Sequence, residues 1–107
     1  MKTYFIYILA SEKNGTLYTG VTNNLIKRVA QHKRKYKNGF TSKYNVNKLV
    51  WYDQTNDIRI AIEREKNLKK WNRKWKIRLI EKNNPAWKDL FYEIGGTEEI
   101  LEPEFII

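Results

Sequence analysis

Apolar residues fall in short runs separated by polar, turn-forming stretches, and their period changes along the chain. Tyr4-Phe5-Ile6-Tyr7-Ile8-Leu9 is rich in β-branched and aromatic residues and predicts a strand. Asn14-Gly15, inside the stretch Ser11 to Thr16, is a turn signal between two apolar runs. Leu17 to Val21 then completes an antiparallel hairpin. Thr22-Asn23-Asn24 offers helix N-cap chemistry. Beyond it, Leu25, Ile26, Val29 and Ala30 recur at helical spacing and predict a helix to about Lys35. Residues 36–47 read as a polar loop carrying Tyr36, Phe40 and Tyr44, and Leu49-Val50-Trp51-Tyr52 as a third strand. Asp57 caps a second helix. A third follows a break near Asn72 and ends at Asn83-Asn84-Pro85. The order β-β-α-β-α-α predicts an α+β fold, a small three-stranded antiparallel sheet flanked by helices.

The same periodicity marks residues that do not fit a plain core. With the second helix projected at roughly 100° per residue from Ile58, Ala61, Ile62 and Leu68 define an apolar arc and Glu65 falls in its middle. A carboxylate centred on a buried face costs several kcal/mol unless a cation or donor meets it. Glu65 is therefore a candidate for chemistry, with an internal salt bridge as the alternative. On the first helix Arg28 and His32 stand at i and i+4 along one edge of the apolar stripe, able to address one target. Arginine suits phosphate, because its planar fork donates two hydrogen bonds and never loses its charge. Tyr7 and Tyr18 lie in paired strands, where Gly20 lets a neighbour approach the backbone closely.

Composition narrows the classes. In 107 residues, 41% hydrophobic and 31% charged, there is enough apolar material for one core and too much for a disordered chain. No apolar run approaches the ~20 residues that cross a bilayer, and Tyr4–Leu9 is too short and aromatic for a secretory signal; the expectation is a cytoplasmic protein with no membrane partner. With no cysteine and one histidine, disulfide frameworks, thiolate zinc and polyhistidine centres are excluded, leaving a hard cation on oxygen ligands. Residues 1–82 hold twenty basic and six acidic side chains, net +14, whereas residues 83–107 hold one and six, net −5. A basic body points to a polyanionic partner, most simply nucleic acid. Lys33, Lys35, Lys37 and Lys43, interleaved with Tyr36, Phe40 and Tyr44, can track a backbone and stack a base, as can Lys69 and Arg73 in the basic stretch Arg64 to Arg78. Trp71 and Trp75 are expected to pack the third helix. The division is a domain over 1–92 and an acidic tail over 93–107, a solubilising end or a competitor for the basic groove.

Phe5-Ile6-Tyr7, followed eleven residues later by Tyr18-Thr19-Gly20, resembles the paired signature of the GIY-YIG nuclease superfamily. Thr22-Asn23-Asn24-Leu25-x-x-Arg28-x-x-x-His32 resembles that family's first helix, and Ala61 to Lys69 the helix that carries its metal-binding glutamate. Leu79-Ile80 and Asn84-Pro85-x-Trp87-x-Asp89-Leu90 are similar to small standalone members related to the excision-repair nuclease domain. The resemblance covers about residues 3–92. It departs at Phe5, where the family has glycine, at Thr19, where it has isoleucine, and at Val21, where some repair members have lysine.

The resemblance implies a divalent-metal-dependent endonuclease acting on DNA, in a DNA-repair setting. Tyr18 is then the general base, Tyr7 positions water or phosphate, and Arg28 binds the scissile phosphate. His32 hydrogen-bonds a tyrosine, Glu65 ligates a single Mg²⁺ (or Mn²⁺), and Asn84 matches a late family asparagine. One carboxylate suffices for Mg²⁺, which keeps several waters. An isolated phenol is a poor base at neutral pH and needs neighbouring cations. Two other readings stay open: a non-catalytic nucleic-acid-binding module, and a nuclease that needs a protein partner for targeting.

Overall fold

Turn chemistry places the hairpin. In the computed structural model, which describes residues 2–34 and 39–101, β1 (Tyr4–Ala10) and β2 (Leu17–Thr22) pair antiparallel. Asn14 takes a positive φ of 59°, and the Gly15 amide donates to the Glu12 carbonyl at 2.9 Å. β3 (Lys48–Thr55) pairs with the other side of β1, giving the antiparallel order β2-β1-β3. Being central, β1 buries Ile6 to Ala10 on both faces of the sheet.

Helices cover both faces. Asn24 caps α1 (Leu25–Lys33), its side-chain oxygen accepting from the Lys27 amide at 3.1 Å. A single turn, α2 (Phe40–Lys43), precedes β3. Asp57 caps α3 (Ile58–Lys70) through the Arg59 amide, and Asn72 caps α4 (Arg73–Asn83) through the Trp75 amide, both at 2.9 Å. Such caps contribute about 1 kcal/mol each. Tyr7 and Leu9 pack on one face against Leu25, Val29 and Ala30 of α1. Ile6, Ile8 and Ala10 pack on the other against Ala61 and Leu68 of α3 and Ile80 of α4. The α+β architecture with three antiparallel strands is thus the expected one.

Four local expectations differ. The loop over 36–47 contains α2. The chain does not leave the core at Tyr92, since Ile94, Ile100 and Leu101 of the following segment and α5 (Glu98–Leu101) pack against the α1 side. On α3, Ile58 and Ile62 are exposed (48% and 39%), because the sheet contacts the side bearing Ala61 and Leu68. Of the two tryptophans expected to pack the third helix, Trp71 packs against the α3 layer and Trp75 is half exposed.

Candidate active site

The register of the hairpin builds the site. Tyr7 lies directly opposite Gly20, and Leu9 opposite Tyr18, so both tyrosines emerge on the α1 face of the sheet. Their rings are 6.3 Å apart, and the His32 ring lies 6.0 Å from Tyr7 and 5.4 Å from Tyr18. Gly20 has a steric reason: a Cβ there would stand 2.5 Å from both Cζ and the hydroxyl oxygen of Tyr7.

Hydrogen bonds order these rings. The Tyr7 hydroxyl is 3.1 Å from His32 Nε2, and His32 Nδ1 is 3.0 Å from Thr41 Oγ1. Burial, and then the Arg28 charge, lower the His32 pKa to about 4, so the imidazole is neutral near pH 7. Burial, and then the Tyr18 charge, raise the Tyr7 pKa well above its ordinary value, so Tyr7 keeps its proton. The Arg28 charge opposes that rise. With Tyr7 protonated and His32 neutral, the arrangement that gives the buried Tyr7 proton an acceptor has the hydroxyl donating to Nε2, which leaves Nδ1–H to donate to Thr41 Oγ1. Thr41, on α2, therefore fixes the tautomer. Sequence reasoning missed it, since nothing in Phe40-Thr41-Ser42-Lys43 distinguishes this hydroxyl.

Glu65 approaches from α3. Its side chain is 13% exposed and forms an i,i+4 ion pair with Lys69 through Oε1. The carboxylate sits at the rim of the buried face rather than at its centre, because Ala61 and Leu68 occupy the contact. Its charge reaches Tyr7, and Lys69 in turn feels Tyr18. Tyr7, Tyr18, Arg28, His32 and Glu65, from four separate elements, thus share one electrostatic neighbourhood.

Other expected binding residues lie elsewhere. Lys33 is not a free phosphate contact: its side chain is 10% exposed, and its ammonium is ion-paired with Asp89 and set 5.3 Å from the Phe91 ring centre. Asp89 also accepts the Leu49 and Phe91 amides at 3.1 Å, which makes it the clasp between the C-terminal segment and β3. The Asn84 side chain is fully spent on backbone, donating to the Val50 and Lys88 carbonyls and accepting from the Lys88 amide. Arg73 donates to the Asn14 and Gly15 carbonyls at the hairpin turn. Lys43 is exposed and lies over the Tyr44 ring. Lys35 and Lys37 lie outside the described residues.

For a metal, the donor set is sparse. Among the described residues no three His, Cys, Asp or Glu cluster as ligands. Glu65 alone fits a hard cation that retains waters, with Oε2 outside the Lys69 pair.

The model of the GIY-YIG catalytic domain matches residues 3–78. The chain belongs to the GIY-YIG family. A UPF0213 protein of Syntrophus aciditrophicus is 36% identical over 85 residues, 78% of this chain and 95% of that protein. A UPF0213 protein of Clostridium perfringens is 40% identical over 80 residues, 71% and 81% of the two chains. The solution NMR structure of a UPF0213 protein from Bacillus halodurans superposes with a TM-score of 0.51 over 89% of this chain and 99% of that one, at 22% identity. That likeness establishes the GIY-YIG fold. The match spans β1 to most of α4, the elements that carry the candidate site, and places the chain in a nuclease-like family whose members act on nucleic acid. No helix among the described residues is long and apolar enough to cross a membrane.

Proposed function

We propose that this chain is a divalent-metal-dependent endonuclease domain that hydrolyses DNA phosphodiester bonds in the cytoplasm, with DNA repair as its setting. The observation that carries the reading is the Tyr7 hydroxyl hydrogen-bonded to His32 beside Tyr18, in the fields of Arg28 and Glu65. Hydrolysis needs an aimed water, positive charge against the developing phosphorane oxygens, and a stabilised leaving oxygen. Tyr18 acts as general base. Tyr7, kept protonated and donating to His32 Nε2, positions the water by accepting from it at the hydroxyl oxygen, and Arg28 holds the non-bridging oxygens. Glu65 is the residue that would hold Mg²⁺ or Mn²⁺, whose contribution when bound is Lewis-acid charge stabilisation.

The Lys69–Glu65 pair favours a second reading, a nucleic-acid-binding module in which the carboxylate serves only the fold. Cleavage of labelled duplex, flap, forked and single-stranded DNA with Mg²⁺, Mn²⁺ or EDTA separates the two. We expect metal-dependent cutting that is lost in Glu65→Gln and Tyr18→Phe. Salt-sensitive binding without cutting, unchanged in both variants, would overturn the nuclease reading.

A further inference from the structure

Twenty basic residues precede position 83, but the structure sorts them into engaged and unengaged sets. Arg64 pairs with Asp53, Lys69 with Glu65 and Lys33 with Asp89, while Arg73 holds the hairpin turn. Lys74, Arg78 and Lys82 have no hydrogen-bond or ion-pair partner among the described residues, and all three are exposed. They line an open groove of about 920 Å³ together with Trp71 and Trp75.

On α4, Trp75, Arg78 and Lys82 follow at i, i+3 and i+7, with Lys74 alongside, so one stripe carries an aromatic and three cations. Trp75 is 50% exposed and meets Trp71 edge-to-face at 5.9 Å. The acid lining the groove, Glu81, already accepts the Trp87 indole N–H at 2.8 Å, a bond that ties its carboxylate to the fold. From Lys74 to Lys82 the helical rise gives roughly 12 Å, the reach of about two nucleotides.

We propose that this groove is a docking site for an unpaired nucleic-acid strand, with a base stacked on Trp75 and phosphates on Lys74, Arg78 and Lys82. Unpaired bases expose π-faces that an aromatic platform can take in any sequence, whereas duplex bases are stacked on each other. The groove begins two residues beyond Lys69. The assignment concerns binding alone and holds for a chain that never cuts.

The test uses the Glu65→Gln chain, so that no probe is consumed, with labelled oligo-dT and a duplex of the same length titrated by fluorescence anisotropy across a salt series. Trp75→Ala is expected to weaken oligo-dT binding about tenfold with little change in salt slope. The triple change Lys74→Ala, Arg78→Ala, Lys82→Ala is expected to flatten the slope of log K against log salt by about 2, at about 0.7 per lost phosphate contact on a single strand. All four positions are exposed, so urea midpoints close to the parent's are expected and confirm folding. Oligo-dT binding that matches the parent in both variants would overturn the proposal and assign the face to a protein partner or a second copy. Equal losses on duplex and single strand would overturn the assignment to unpaired strands.

Discussion

Gly20→Ala probes the coupling between the sheet and the candidate site most directly. The new methyl carbon would stand 2.5 Å from Tyr7 Cζ and its hydroxyl oxygen and 2.9 Å from Cε1. Carbon contacts settle near 3.5–4.0 Å, so the shortfall is about 1 Å. Tyr7 has no room to yield, being fully buried with its hydroxyl tied to His32 at 3.1 Å. Backbone strain is not the issue, as Gly20 does not have a left-handed φ. The entropic gain of replacing glycine, about 0.4–1 kcal/mol, opposes the clash and is smaller. Overpacking of this kind costs about 1–3 kcal/mol, and moving a positioned hydroxyl by about 1 Å lowers turnover by up to about 10²-fold. Urea unfolding of a double-mutant cycle with Tyr7→Leu isolates the contact, because leucine lacks the ring atoms that collide. Gly20→Ala should cost little in that background, with a coupling energy of about 1–3 kcal/mol. Equal costs with and without the ring, or no cost at all, would refute the steric account of Gly20.

Three further outcomes are expected. Thr41→Val removes the acceptor of His32 Nδ1–H and should lower both stability and DNA turnover by the worth of one hydrogen bond, about 1 kcal/mol or about fivefold, with recovery in Thr41→Ser; nitrogen chemical shifts of His32 report the tautomer, and shifts identical to the parent's would contradict the role. Because the His32 pKa falls from 6.5 in the unfolded chain to about 4 in the fold, the unfolded state binds the extra proton between those values. Stability is therefore fully present above pH 6.5 and declines as the pH falls towards 4. The difference in urea midpoint between parent and His32→Gln should change across that window, and a pH-independent difference would count against a neutral buried imidazole. Thr19 carries a buried Oγ1 without a hydrogen-bond partner in the structure, so Thr19→Val should raise the thermal midpoint, by about 1 kcal/mol or more in free energy; a lower midpoint would mean the hydroxyl has a partner.

Local chemistry was legible along the chain. The strands, the Asn14-Gly15 turn, the caps at Asn24 and Asp57 and the helix break near Asn72 depend on residues within a few positions of one another, and sequence carries that information directly. The hairpin register, and with it Tyr7 against Gly20, came from the structure. What sequence could not carry was choice among distant partners. A helical projection gives the angle of Glu65 but not which side of α3 the sheet selects, and the sheet selected Ala61 and Leu68 over Ile58 and Ile62. The acidic composition after residue 83 concealed the apolar anchors Ile94, Ile100 and Leu101, which hold the segment on the core.

Charge shows the same division with a functional consequence. Counted along the chain, the lysines beside α1 form the densest basic cluster and α4 is one basic stretch among several. Folding removes Lys33 from that cluster by setting it against Asp89, a partner 56 positions away, and spends Arg73 on the hairpin carbonyls. The cations left without partners on α4 flank a half-exposed tryptophan. Net charge thus predicts that a polyanion is attracted, a long-range effect that depends little on which lysine pairs with which carboxylate. Where the polyanion rests is decided by the pairs, and the unpaired cations of α4 bring the Trp71–Trp75 groove into the expected contact surface.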